Sequence, residues 1–126
     1  MRVVVTGTRN AATGDAVFIR KAMDALHEQY KISLVGHGGA SGVDDIVSAW
    51  AIENGVQIAV FNADWDEHGT AAGPIRNREM LETIKPQIVA AFPEPKARLK
   101  GSGTWDAIEA AVERGHFVRI YPLKDV

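Results

Sequence analysis

The chain has 126 residues, a net charge of −2 and no cysteine. That length suffices for a single domain (residues 1–126) burying roughly two thirds of its unfolded surface without staples, and the missing cysteines exclude disulfide scaffolds, thiol nucleophiles and thiolate zinc sites together. A near-balanced charge argues against a dedicated nucleic-acid binder, and no apolar run approaches the ~20 residues of a membrane span, so the expectation is a soluble cytoplasmic protein.

Short β-branched runs alternate with helical patterns along the chain. Val3, Val4 and Val5 predict a buried first strand, after which Ile19, Met23, Leu26 and Tyr30 recur at helical spacing. Residues 32–35 predict a second strand; Val43, Ile46, Val47 and Trp50 mark a second helix, stopped by Gly55. A third strand is expected over 57–60, and a third helix from Pro74 to Ile84, with the proline at its first position and Pro86 beyond its end. A fourth strand over 87–91 and a fifth over 117–121 flank a last helix, capped by Thr104 and ended at Gly115. Strands alternating with helices predict an α/β fold: a doubly wound, mostly parallel five-stranded sheet with helices on both faces.

The connections sort into two kinds. Those from helix to strand are tight, whereas those from strand to helix (6–14, 36–42, 62–73 and 92–103) are long and rich in glycine and polar residues. In a parallel sheet all of the second kind lie at the carboxyl edge, where ligands bind in open α/β sheets. Four segments are therefore expected to converge on one crevice.

Each segment carries candidate chemistry. Gly36, His37, Gly38, Gly39, Ala40 and Ser41 lead into Gly42, placing four glycines in seven residues ahead of a helix. Such a loop can present successive backbone N–H groups to a phosphate or carboxylate, or be a tight turn only. Its spacing fits neither a dinucleotide fingerprint nor a Walker loop. Gly7, Thr8 and Arg9 end the first strand, the usual phosphate side of this architecture. Asp44 and Asp45 occupy the first turn of the second helix; one is expected to complement the helix dipole, the other to accept ribose hydroxyls or polarise a water. Downstream, Gly73 and Pro74 open the helix carrying Arg76, Asn77 and Met80, with Arg76 offering a planar fork for phosphate and Met80 a packing role. Trp65 is either a stacking plate or a hydrophobic anchor, and Asp64, Asp66, Glu67 and His68 match no metal-ligand pattern, so no metal is expected. His37 and His68 are candidate proton carriers. Gly101, Ser102, Gly103 and Thr104 repeat the small-residue logic before the last helix, and a basic loop over 96–100 precedes them.

Taken together, the Val3-to-Gly7 strand with Arg9, the His-Gly-Gly-Ala-Ser-Gly-Val-Asp run ending at Asp44, Ala63-Asp64-Trp65 with His68-Gly69, the Ala72-to-Met80 segment and Gly103-Thr104 resemble the small YspA-like (YAcAr) proteins of the SLOG superfamily. That superfamily includes the Lonely Guy phosphoribohydrolases and the DNA-processing protein A family. The resemblance spans nearly the whole chain. It implies a Rossmann-like domain that binds nucleotides, nucleotide sugars or related nucleotide-derived signals, occurs often in phages and mobile elements, and commonly forms homodimers. Arg76 and Asn77 with Met80 resemble the Arg-Lys-x-x-Met element of the phosphoribohydrolases, placing Arg76 on their catalytic arginine. Their Pro-Gly-Gly-x-Gly-Thr-x-x-Glu element is matched only in part: Leu99 and Lys100 replace the first Pro-Gly, and Ala107 stands where the catalytic glutamate belongs.

The expectation that follows is a nucleotide-ligand sensor or sequestering domain with no cofactor. A phosphoribohydrolase using Arg76 with Asp106 or Asp45 as carboxylate is the alternative, and a single-stranded DNA-binding module stands last because its basic residues are few.

Overall fold

The structure, a computed structural model, describes residues 1–94 and 103–123. Five strands, β1 (Arg2–Gly7), β2 (Leu34–His37), β3 (Gln57–Val60), β4 (Ile88–Phe92) and β5 (Phe117–Ile120), pair in the order β3-β2-β1-β4-β5, every pair parallel. The three valines of β1 place it centrally, since a strand buried on both faces needs apolar residues without alternation. Val3 lies opposite Val35 of β2, and Val4 opposite Val89 of β4. The sheet grows outward from β1 to β3 and then resumes beside β1 with β4. The strand order thus reverses at β1 and β4, where the carboxyl ends leave a crevice.

Helices α1 (Thr13–Tyr30) and α2 (Val43–Glu53) cover one face, and α4 (Ala72–Ile84) and α5 (Gly103–Glu113) the other; between these pairs α3 (Trp65–His68) runs through a single 3-10 turn (Gly69–Ala71) into α4. Alternation along β1 assigns its side chains. Val3 and Val5 pack with Ile19, Met23 and Leu26 of α1 and Val47 and Trp50 of α2, whereas Val4 packs with Met80, Leu81 and Ile84 of α4 and Ala110 and Ala111 of α5. Each large apolar side chain buried in this way contributes about 1.5–3 kcal/mol. The fold is the Rossmann-like, doubly wound α/β sheet that the pattern predicts.

Several boundaries differ from expectation. The third long helix begins at Ala72, not Pro74, because the preceding 3-10 turn feeds it continuously: the Ala72 N–H donates to Gly69 O. Proline is tolerated there because first-turn N–H groups lack helical acceptors in any case. The acidic segment after Asp64 is a helical turn rather than a loop, and Asp64 Oδ1 caps it by accepting the Glu67 N–H at 3.1 Å. Thr104 lies inside α5 and is buried, not at its cap. β2 also starts two residues later than predicted, so Gly36 and His37 belong to the sheet. Ile32 and Ser33 are diverted instead, their N–H groups donating to His27 Nδ1 and Met1 O. Among the described residues no helix is long and apolar enough to cross a membrane.

Candidate functional site

The carboxyl ends of β1, β2 and β4 and the first turns of α4 and α5 enclose a cleft of about 860 Å³. All four strand-to-helix segments contribute: Gly7, Thr8 and Arg9 from the first, Gly38, Ala40 and Asp44 from the second, Trp65, Gly73, Arg76 and Asn77 from the third, and Glu94, Gly103, Thr104 and Asp106 from the fourth. A recess of about 310 Å³ adjoins it, formed by Gly39, Ser41, Asn62 and Ala63 with Arg9, Gly38, Ala40, Trp65 and Arg76.

Arg76 reaches from α4 across the end of the sheet. Its Nη1 donates to Gly38 O at 3.0 Å and to Phe61 O at 3.3 Å, and its Nε to Asn77 Oδ1 at 2.9 Å. Nη2 has no partner among the described residues. Burial is the main force lowering the guanidinium pKa; the Asp44 charge opposes it and the Arg9 charge adds to it. Asn77 is 3% exposed and fully engaged, its Nδ2 donating to Gly103 O at 3.2 Å and to Asp106 Oδ2 at 3.0 Å.

Asp106 lines the cleft but is already committed. Arg78 Nη1 sits 3.0 Å from its Oδ2 and 3.3 Å from its Oδ1, so both oxygens are occupied by α4. Arg78 folds back over Pro74 O onto Asp106. An N-glycosidic cleavage needs a carboxylate free to face the ribose. Asp106 clasps α5 to α4 through these bonds.

The glycine loop does not offer the run of N–H groups that its composition suggested. The Gly39 N–H donates to His37 Nδ1 at 2.9 Å, and the Ala40 N–H to Asp44 Oδ2 at 3.1 Å. His37, 3% exposed, must then carry its proton on Nε2, which donates to Ser48 Oγ at 2.6 Å. Burial lowers its pKa, opposed by Asp45 and reinforced by Arg76, and both ring nitrogens brace the loop. Asp44 is 6% exposed, and its Oδ1 has no hydrogen-bond partner among the described residues. Burial pushes its carboxyl up to about 6, restrained by the Ala40 N–H, the Arg76 charge and the Gly38 N–H, and pushed further by Asp45.

At the mouth, the Arg9 guanidinium lies 5.7 Å from the centre of the half-exposed Trp65 ring and has no ion-pair partner among the described residues. The Thr8 hydroxyl donates to Glu94 Oε1, tying the end of β1 to the segment after β4. Gly7 leaves room for Val43 of the core, where a Cβ would come within 2.5 Å of Val43 Cγ2.

Several expectations need correction. Asp45 is exposed and does not line the cleft; with Asp44 it stands in the first turn of α2. Gly36 faces α4, where a Cβ would collide with Ile84 Cδ1, so it is a packing glycine. His68 is exposed and borders neither cavity, and Ser41 and Gly39 border only the recess. Gly101, Ser102 and the basic loop over 96–100 lie outside the described residues. Sequence reasoning missed Glu94, Trp105 and Glu109, which line the cleft, and Asn62, which lines the recess. Glu109 lies four residues after Trp105 and three after Asp106, so helical spacing alone sets the three on one face of α5; Glu94 carries no local pattern.

Comparison with known proteins agrees with this architecture. The profile of the YspA, cpYpsA-related SLOG family (YAcAr) matches residues 1–68, which carry β1, the glycine loop, Asp44 and Trp65. The "Gene 61 protein" of Mycobacterium phage D29 is 37% identical over 97 residues, covering 73% of this chain and 76% of the phage protein. With the parallel sheet, the cleft at its carboxyl edge and these matches in hand, the chain belongs to the YspA, cpYpsA-related branch of the SLOG superfamily.

Proposed function

We propose that the cleft binds a nucleotide or nucleotide-derived ligand, with its phosphate held by Arg76 and Arg9, and that the protein acts as a sensor or sequestering domain. Family membership points to a nucleotide-related function in general. The observation that carries the finer reading is the pair of guanidinium groups. Arg9 and Arg76 face one cleft, each without a carboxylate ion-pair partner among the described residues, and their charges oppose one another. An anion between them relieves that repulsion and gains charge-assisted hydrogen bonds. Because the Gly39 and Ala40 N–H groups are engaged internally, the side chains carry anion capture and the loop serves to seat Arg76. Trp65 offers a stacking face, worth about 1–3 kcal/mol for a base, and the cleft volume falls within the usual range for small-molecule sites.

Native mass spectrometry of the purified protein tests the reading directly, by the mass of a retained nucleotide. Calorimetry with nucleoside mono- and diphosphates is the complement, and Arg76→Ala is expected to abolish binding while circular dichroism is unchanged. Unaltered affinity in that variant would overturn the assignment.

Hydrolysis is the second reading, favoured by one observation: Asp44 places a buried carboxyl with a pKa of about 6 in the same cleft as Arg76. Such a group can exchange a proton near neutral pH. Release of free base from nucleoside monophosphates, lost in Asp44→Asn, is the outcome that would establish it.

A further inference from the structure

Asp44 and Arg76 are held by the same short loop. Arg76 Nη1 donates to Gly38 O, and two residues further on the Ala40 N–H donates to Asp44 Oδ2. Both side chains line the cleft, yet no hydrogen bond or ion pair joins them among the described residues. Charge is what connects them, each favouring the charged form of the other.

The carboxyl is poorly placed to hold a ligand directly. Its Oδ1 has no partner among the described residues and is sealed from solvent, and its Oδ2 accepts the Ala40 N–H. An anion arriving at Arg76 meets Asp44 as a charge. The groups around Asp44 compensate that charge only in part. On β2, His37 Nδ1 stands 3.9 Å from Asp44 Oδ2 but accepts the Gly39 N–H, so it faces the carboxyl without a proton. On α2, Asp45 adds a like charge; on α4, Arg76 attracts, and Arg9 beyond the end of β1 acts against Arg76 in turn. Burial outweighs the favourable contributions and holds the Asp44 carboxyl at about 6.

Two anions thus face one guanidinium. With Asp44 ionised, it offsets part of the Arg76 field, and a bound phosphate lies near a buried like charge. With Asp44 protonated, both penalties are gone. Charges in a partly buried cleft are screened less than those on an open surface, so the difference reaches the ligand.

We propose that Asp44 gates anion capture at Arg76 and Arg9 through its protonation state: the neutral carboxyl admits the anion, the carboxylate opposes it, and binding takes up a proton. This rests on the nucleotide reading above and adds to it a control that acts through Arg76.

Calorimetry on the full chain at pH 5.5 and pH 8 tests it, with the mono- and diphosphates of adenosine, guanosine and uridine as probes. The proteins are the native chain, Asp44→Asn and Asp45→Asn. For each probe that binds, Asp44→Asn is expected to match the native protein within about twofold at pH 5.5 and to bind about tenfold more tightly at pH 8. Comparing proteins at one pH cancels the titration of the probe itself. Asp45→Asn removes a neighbouring carboxylate without fixing the gate, and is expected to keep the native pH dependence. Carboxyl carbon NMR shifts follow the same event in the native protein alone. The Asp44 midpoint should rise by about one pH unit when a probe is bound, because proton and anion must change each other's affinity by one common factor. An Asp44→Asn advantage that is equal at the two pH values, or a midpoint that the bound probe leaves in place, overturns the inference and leaves the nucleotide reading standing. Loss of binding in an Asp44→Asn protein with unchanged circular dichroism does the same. Failure of every probe with the native protein at both pH values overturns the nucleotide reading and the inference with it.

Discussion

Arg76 lies directly over Gly38: its Nη1 donates to the Gly38 carbonyl at 3.0 Å, and a Cβ at position 38 would collide with that same nitrogen. The glycine is thus a seat for the arginine. Gly38→Ala is expected to push the guanidinium out of the cleft and weaken nucleotide binding by about tenfold or more. Folding stability should fall by less than about 1 kcal/mol, since the obstacle is the end of a flexible side chain. Gly42→Ala is the contrast. That residue adopts φ +78° and its Cβ would strike the backbone of Thr8 and Arg9, so stability should fall by about 1–3 kcal/mol. Urea titration paired with calorimetry on both variants separates the two roles; equal binding by Gly38→Ala and native protein would refute the seat.

The strands were legible because their signal is local. Val3 to Val5 and Ile88 to Ala91 need no partner to read as buried strands, and the long strand-to-helix connections place themselves at one edge once the sheet is parallel. Helix starts were less so. Ala72 begins α4 because a 3-10 turn feeds it, and Thr104 is drawn into α5 by burial, neither of which a capping pattern expresses. Within the site, residue types revealed where ligand chemistry belongs but not which groups were already engaged. The His37–Gly39 and Asp44–Ala40 bonds close inside one loop, and the Arg78–Asp106 pair joins positions 28 residues apart. Glu94 was invisible because a lone acid between prolines has no period; only its bond from Thr8 across the sheet gives it a place.

Gly36 illustrates a glycine whose purpose is packing. A Cβ there would overlap Ile84 Cδ1, and Ile84 is buried in the core cluster between the sheet and α4. Gly36→Ala is expected to cost about 1–3 kcal/mol in urea unfolding. Adding Ile84→Val, which removes the colliding methyl, should recover part of that loss, and nucleotide affinity should be unchanged in both. A double variant no more stable than Gly36→Ala alone would show that the collision is not the cause.

Asp44 makes stability depend on pH in a direction opposite to most carboxylates. Its folded value of about 6 exceeds the unfolded 3.8, so between these values the native state holds a proton that the unfolded chain has released. Its contribution is therefore fully present below the unfolded value and lost as pH rises through the folded one, by about 3 kcal/mol. The groups that face it set this balance: Arg76 and the Ala40 and Gly38 N–H groups favour the charged form, and Asp45 disfavours it. Asp44→Asn cannot ionise. Urea melts at pH 4 and pH 7 should show the variant gaining on the native protein by a large part of that amount at the higher pH, and parallel behaviour would contradict the burial account.

Asp106 tests whether the clasp is structural or chemical. Its two oxygens accept from Arg78 and Asn77, and Asn77 in turn holds Arg76 Nε, so the carboxylate fixes α5 against α4 and steadies the arginine indirectly. The pair with Arg78 is partly exposed, at 36% and 24% for the two side chains, so solvent screening limits its worth to about 1 kcal/mol or less. A double-mutant cycle with Arg78→Ala and Asp106→Ala should return a coupling of that size in urea unfolding. Nucleotide affinity should fall less in Asp106→Asn than in Asp106→Ala, because asparagine retains one acceptor for Asn77 Nδ2. If nucleoside monophosphates are cleaved at all, Asp106→Asn should keep the pH profile of the native reaction, since both carboxylate oxygens are engaged by the Arg78 guanidinium and the Asn77 amide. A profile that flattens in Asp106→Asn would instead make this residue the acid or base of the site.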